Sequence, residues 1–244
     1  MKYINNFKKG IKDGLPICIG YFSVSFAFGI FAVENGLGTW QAVIISLTNL
    51  TSAGQLAAVP IMTGGGTLFE LAVSQFVINS RYSLMSVSLA QKLSHKIKLP
   101  QKLLVAYGNT DEIFAVSVSN NGELGFKYMM GIIMLPVIGW TSGTLIGAIA
   151  GNVLPPIVTA ALGVAIYGMF IAIVVPVAKK EKFTALCVLL AVALSCAFRY
   201  IPALSKIPSG FTVIICAVVA SALFAIIAPI KTENTPEKEV ESVG

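Results

Sequence analysis

SLTNLTSAGQLAAVP, residues 46–60, lies inside a charge-free run of 35 residues between Glu34 and Glu70. Such a run has the composition of a membrane span. Yet Ser46, Thr48, Asn49, Thr51, Ser52 and Gln55 place six hydroxyls and amides within ten residues. In hydrocarbon every backbone N–H and C=O must be satisfied by protein, so irregular chain survives only inside protein or beside a watery cavity. Ser52-Ala53-Gly54 is where a helix is expected to stop and restart. A break leaves N–H groups at one half-helix end and carbonyls at the other, and these can hold a carboxylate and an ammonium or cation without an ionised side chain. The rival reading is close helix packing, which Ser, Thr, Gly and Ala also promote. The density of polar groups favours a site, with Asn49, Ser52, Ala53, Gly54 and Gln55 as candidate substrate contacts.

The surrounding composition sets the class. The chain is 56% hydrophobic and 11% charged, less than half the charge of a soluble domain at about 25%. Charge-free runs cover 14–33, 35–69, 128–178 and 207–230, and spanning takes roughly 20 apolar residues as a helix. Spans are expected near 14–33, 40–62, 67–91, 128–151, 156–178, 183–200 and 209–230, with a shorter segment at 103–119. The expectation is an all-α, polytopic integral membrane helix bundle with discontinuous or re-entrant segments. Residues 1–230 form one transmembrane domain, and the polar tail 231–244 is expected to be disordered.

Lysines cluster at span ends, so the net charge of +6 reads as the positive-inside rule rather than nucleic-acid binding. Lys8, Lys9 and Lys12 place the N-terminus in the cytoplasm, and Lys179, Lys180 and Lys182 mark another cytoplasmic loop. The loop carrying Lys92, Lys96, Lys98 and Lys102 leaves two topologies open. It is external if 40–62 crosses, and internal if 40–62 dips in and returns. Cys18, Cys187, Cys196 and Cys216 lie in apolar runs without metal-ligand spacing and read as packing residues. Trp40, Tyr82, Tyr128 and Tyr200 are placed at the interface, as aromatic rings near span ends usually are.

Internal repetition is possible. Gly20-Tyr21-Phe22-Ser23 matches Gly139-Trp140-Thr141-Ser142, each after a proline, Pro16 or Pro136. Repeats of this kind occur in secondary transporters, and Tyr21 joins the candidate substrate contacts.

Residues 70–93 carry polar groups on two sides of one helix. At 100° per residue Glu70, Ser74, Arg81 and Ser88 share a line, and Gln75, Asn79, Ser83 and Ser86 project oppositely. Such a helix belongs inside the bundle. Arg81 at mid-membrane costs roughly 2.5–3.5 kcal/mol on insertion scales, so it needs a partner or a watery cavity. Asn79 is a further candidate contact. In YGNTDEIFAVSVS, residues 107–119, Gly108-Asn109 can end one segment and Thr110 cap the next. Asp111 and Glu112 then fall in its first turn, where the dipole favours anions. An ordinary capped surface helix has this pattern too. The functional reading makes Arg81, Asp111 and Glu112 a gate or proton-linked ion pair. With no nucleotide loop, metal spacing or catalytic set, neither enzyme activity, cofactor nor metal is expected.

The pieces GLPICIGYFSVSFAFGIFA (14–32), SAGQLAAV (52–59), VINSRYSLMSVSLA (77–90) and TDEIFAVS (110–117) resemble, in order and spacing, the AzlC family of bacterial branched-chain amino acid permeases and exporters. The second half matches more loosely. That family commonly has Gly-Ala-Ser-Gln-Phe where this chain reads Ser-Ala-Gly-Gln-Leu, and usually His where it has Tyr82. The resemblance implies export of branched-chain or similar apolar amino acids and a small AzlD-like membrane subunit as partner. The expected function is therefore a secondary transporter driven by an ion gradient, with Phe26, Phe28 and Leu56 as candidate walls for an apolar side chain. The alternatives are a passive channel or structural subunit, and the membrane part of an ATP-driven system.

Overall fold

The computed structural model describes residues 3–228; the expected disordered tail lies outside them. In chain order the elements are β1 (Tyr3–Ile4), α1 (Phe7–Glu34), α2 (Thr39–Thr48), α3 (Ser52–Thr63), α4 (Leu68–Asn79), α5 (Arg81–Ala90), α6 (Leu99–Tyr107), α7 (Asp111–Ser119), β2 (Glu123–Leu124), α8 (Phe126–Val153), α9 (Pro156–Lys180), α10 (Lys182–Tyr200) and α11 (Ser209–Ile227). The fold is all-α, and the two short strands pair in parallel.

The centre of the bundle is the α1–α8 pair. Each helix has 28 residues, about 42 Å at 1.5 Å per residue, enough to cross a hydrocarbon core of about 30 Å. They run parallel, because contacts advance together from Gly10 against Gly131 to Ile30 against Gly151. Gly139, Gly143, Gly147 and Gly151 recur every fourth residue of α8 and form a flat stripe on which the α1 backbone lies. A Cβ added at Gly143 would stand 2.5 Å from the Phe22 carbonyl oxygen. Small-residue stripes allow this approach between membrane helices. The two halves of the sequence match meet here, with the Tyr21 and Trp140 rings edge to face, centroids 5.2 Å apart. The elements that follow differ: the segment after α1 is broken, while α9 is continuous over 25 residues.

Contacts at helix ends settle the direction of the segments from α1 to α8. At the end bearing the N-terminus, Tyr3 and Ile4 pair with Glu123 and Leu124, and Leu93 bridges to Leu124. Lys92 there caps α7, donating to the carbonyls of Val118 (2.5 Å) and Asn120 (3.0 Å), where a cation suits the helix dipole. The loop with Lys92, Lys96 and Lys98 thus sits on the N-terminal side. At the far end Asn152 Nδ2 donates to Thr39 Oγ1 at 3.2 Å. Deeper in, Ser46 Oγ and Thr144 Oγ1 are 2.7 Å apart. So α2 descends along α8 from the far end. It stops at Thr48, and α3 climbs back: Gly54 packs on Gln75 and Asn79, and Gly66 on Glu70. Residues 40–62 therefore do not cross but form a hairpin entering from the far end. α6 and α7 form the opposite hairpin, from the near end at Leu99 back to Asn120, which accepts from Lys9 and donates to Tyr128. Neither 40–62 nor 103–119 is a span.

α4 and α5 cross together, with a break in the helix at Ser80. The inward turn expected of both polar faces holds only in part: Glu70 and Ser74 are buried and Gln75, Asn79 and Ser86 half-buried, but Arg81, Ser83 and Ser88 are exposed. Phe69, Phe76, Leu84 and Val87 are exposed as well, so one apolar stripe of this segment is free to face lipid. Tyr82 is not an interfacial ring: it stands mid-way along the crossing, beside Leu50 and Thr110. Tyr128 is at an end as expected but fully buried, donating to Asp13 Oδ2 at 2.8 Å.

Glu70, 3% exposed, accepts a 2.7 Å hydrogen bond from the Gly210 N–H in the first turn of α11. The carboxylate answers both the unpaired N–H groups and the positive end of that helix. Glu70→Ala is expected to lower stability by about 1–3 kcal/mol, the cost of leaving a buried donor without its partner, and Glu70→Gln by less. Thermal unfolding of the detergent-solubilised protein reads both.

Candidate functional site

The tips of the two hairpins meet at the level of the α4–α5 break. The far-side tip is Asn49-Leu50-Thr51, three residues earlier than the Ser52-Ala53-Gly54 expected from sequence. Asn49 and Thr51 are extended, and the Thr51 hydroxyl accepts from Gly54 N–H at 3.4 Å, so α3 begins with a threonine N-cap. Gln55 is fully buried and ties the break together, donating through Nε2 to the Asn49 carbonyl. The near-side tip is Gly108-Asn109-Thr110.

Between the tips and the α1–α8 pair lies a cavity of about 420 Å³, within the roughly 300–1,000 Å³ of small-ligand sites. Ile17, Val24, Leu50 and Pro16 supply apolar wall, and Tyr21, Ser52, Tyr82, Asp111, Glu112 and Trp140 supply polar groups. The N-termini of α3 and α7 both reach it, at Ser52 and Asp111. On the other side of the tips is a smaller cavity of about 260 Å³, lined by Asn49, Asn79, Tyr107 and Asn109 among others. Leu50, Tyr82 and Thr110 line both, so they form the partition between the two.

The charges of the site are tied to one another. Arg81 Nη2 lies 2.8 Å from Asp111 Oδ2, both side chains half exposed, and the guanidinium sits 5.0 Å from the centroid of the Tyr82 ring. Glu112 Oε2 accepts from the Tyr21 hydroxyl at 2.5 Å, and the Tyr21 and Thr110 hydroxyl oxygens are 2.6 Å apart. Tyr21 has one proton. With the carboxylate taking it, Thr110 donates to Tyr21, so the chain runs Thr110 to Tyr21 to Glu112. This use of its hydroxyl explains why Thr110, although it precedes α7, makes no side-chain cap. One cation and two carboxylates leave a formal charge of −1 at the tip. Trp140 Nε1 is buried and has no acceptor.

Of the residues singled out from sequence, Tyr21, Ser52, Asp111 and Glu112 line the larger cavity, and Asn49 and Asn79 the smaller. Arg81 borders the site through its ion pair. Ala53, Gly54 and Gln55 line neither cavity. Nor do Phe26, Phe28 and Leu56; Phe28 is buried in a separate apolar cluster with Val59, and Leu56 packs against that cluster. Residues not singled out as contacts are Leu50, Tyr82, Asn109, Thr110 and Trp140. For Trp140 the signal was present, since it holds the place of Tyr21 in the Gly-Tyr-Phe-Ser match.

The AzlC protein family model matches residues 16–154, more than half of the chain and every element of the site. An inner membrane protein of Escherichia coli, YgaZ, is 32% identical over 75% of this chain and 76% of its own length. An uncharacterized membrane protein of Archaeoglobus fulgidus is 31% identical over 70% of this chain and 75% of its own. The branched-chain amino acid transport protein AzlC of Bacillus subtilis is 26% identical over 72% and 69%. No solved structure matches significantly. Four described helices, beginning at Phe7, Phe126, Lys182 and Gly210, are long and apolar enough to cross a membrane. With these helices, two opposed hairpins and this extent of match, the chain is a multi-pass membrane protein and belongs to the AzlC family.

Proposed function

We propose that this protein is a secondary transporter that exports branched-chain or similar apolar amino acids, driven by an ion gradient. The observation that carries the reading is the larger cavity, which combines apolar walls with an excess carboxylate and a helix N-terminus at one level. The ammonium of the amino acid pairs with Glu112. Its carboxylate lies at the start of α3, where the first N–H groups have no intrahelical acceptor, in a cavity that Trp140 also lines. The aliphatic side chain packs on Ile17, Val24 and Leu50. The name of the Bacillus subtilis relative supports the substrate class. Pairing with a small AzlD-like subunit is part of the proposal through family resemblance, and co-purification with such a subunit tests it.

A carrier is favoured over a passive channel because Leu50, Tyr82 and Thr110 stand between the two cavities, leaving no open pore through the tips. Saturable counterflow of leucine in proteoliposomes is the expected result, without ATP. Glu112→Gln is expected to slow it at least about tenfold, the loss of one charge-assisted contact worth roughly 1.5–3 kcal/mol, with Tyr21→Phe intermediate. Flux that never saturates assigns a pore. Flux that requires ATP assigns an ATP-driven system.

A further inference from the structure

The smaller cavity differs from the larger one in the helix ends that meet it. The N-caps of α3 and α7, Thr51 and Thr110, reach it, as the starts of those helices reach the larger one, but α2 and α6 also end here, with Thr48 and Tyr107 as their last residues. Helix C-termini carry partial negative charge, although here the Leu47 carbonyl already accepts from the Tyr107 hydroxyl and the Asn49 carbonyl from Gln55 Nε2. A second, independent observation points the same way. Gln75 Nε2 donates to the Gly54 carbonyl at 2.9 Å, so its Oε1 faces the amide nitrogens of Asn79 (3.2 Å) and Asn49 (3.4 Å). This chain uses the donor of Asn79 and leaves Asn79 Oδ1 buried with no partner. Asn109, only 5% exposed, likewise spends its Nδ2 on Ser86 Oγ at 3.1 Å and leaves Oδ1 buried and unpartnered. Both amides line the cavity. Each amide has one N–H engaged and its acceptor surplus, and a buried acceptor without a partner costs about 1–3 kcal/mol.

We propose that this cavity binds a small monovalent cation, held by Asn79 Oδ1 and Asn109 Oδ1 between the C-terminal ends of α2 and α6. Neutral oxygens suit a singly charged ion. Calcium and magnesium are bound through carboxylates, and none lines this cavity. No charged side chain lines this cavity; the carboxylates Asp111, paired with Arg81, and Glu112 line the larger one, a formal excess of one negative charge. They leave the site in a weakly negative field. Two sources share the required chemistry, a sodium ion and a protonated primary amine. As the coupling ion of export the cation rests on the transport reading above; as a bound ligand it does not.

The test uses the purified full chain in detergent without any amino acid. Binding of radioactive sodium is measured with potassium or choline as competitor, beside binding of isoamylamine. Saturable sodium binding is the expected result. Asn109→Leu should weaken it at least about tenfold, one bond of roughly 1.4 kcal/mol. Asn109→Asp, nearly the same shape with a charge added, should tighten it. Opposite signs in two variants at one position separate ligation from misfolding. If isoamylamine binds and sodium does not, with the same response to both variants, the site belongs to the ammonium of an amine ligand. If neither ligand saturates, or both variants bind like the parent, the proposal is overturned. Leucine counterflow that survives such a result would leave the transport reading standing.

Discussion

Gly147→Leu is expected to abolish accumulation of folded protein in the membrane, while Gly168→Leu in α9 leaves it unchanged. Both replace a glycine in a helix with a better helix former, so propensity alone favours each substitution by up to about 1 kcal/mol. What separates them is space. A Cβ on Gly147 would overlap the Phe26 carbonyl of α1 and lie 2.9 Å from Phe26 Cα, whereas one on Gly168 would meet nothing within 4 Å. Ordinary overpacking costs about 1–3 kcal/mol because side chains move aside. Here the obstacle is backbone, and it recurs at Gly139 and Gly143, so relief requires parting the whole α1–α8 seam. That seam places Tyr21 against Trp140 and holds one wall of the larger cavity. Gly147→Ala should give an intermediate loss. Yield of monodisperse protein by fluorescence-detected size exclusion measures the series, and a normal yield for Gly147→Leu would show that the two helices do not pack through this stripe.

The seam also shows what a single sequence discloses. Four glycines at four-residue spacing are legible as a stripe for a close neighbour, but nothing local says that the neighbour is α1, more than a hundred residues earlier. Likewise Glu70 is legible as an acid in need of a partner, and its partner Gly210 is 140 residues away. The broken helix at 46–60 was readable because hydrocarbon makes six clustered polar groups costly. Its position was misjudged by three residues. Ser52-Ala53-Gly54 has the composition of a breaker, yet those residues begin α3, and the start signal is the N-cap Thr51. The lysine-rich loop carried the topology all along: once 40–62 turns back, Lys8, Lys9, Lys92, Lys96 and Lys98 fall on one side, as the positive-inside rule asks. For the short helices α6 and α7, nine residues each, the break at Gly108-Asn109-Thr110 was legible where it falls, but the depth of the pair was not. A nine-residue apolar helix reads the same on a surface as in a hairpin tip.

The meeting of Arg81 with Asp111 yields the second large effect. Arg81→Met should both destabilise the protein and suppress leucine counterflow by a hundredfold or more, about 2.7 kcal/mol in the transport barrier. The stability loss comes from what stays behind. Asp111 and Glu112 are neighbours in the first turn of α7, and without the guanidinium two carboxylates share one tip with only the Tyr21 hydroxyl donating to them. Breaking a buried pair by removing one partner costs roughly 3–5 kcal/mol and an exposed one about 0–1 kcal/mol; with both side chains half exposed, a loss between the two is expected. Removing both partners removes the stranded charge, so Arg81→Met with Asp111→Leu should recover most of the lost stability, a positive coupling in a double-mutant cycle. Counterflow should not return in the double variant, because the pair braces the N-terminus of α7 on which Glu112 is carried. Such a split, stability rescued and transport not, is the signature of an ion pair that works as part of the site. An Arg81→Met protein with parental unfolding midpoint and parental counterflow would reduce the pair to an exposed contact worth about 0–1 kcal/mol, and would remove the central charge balance from the mechanism.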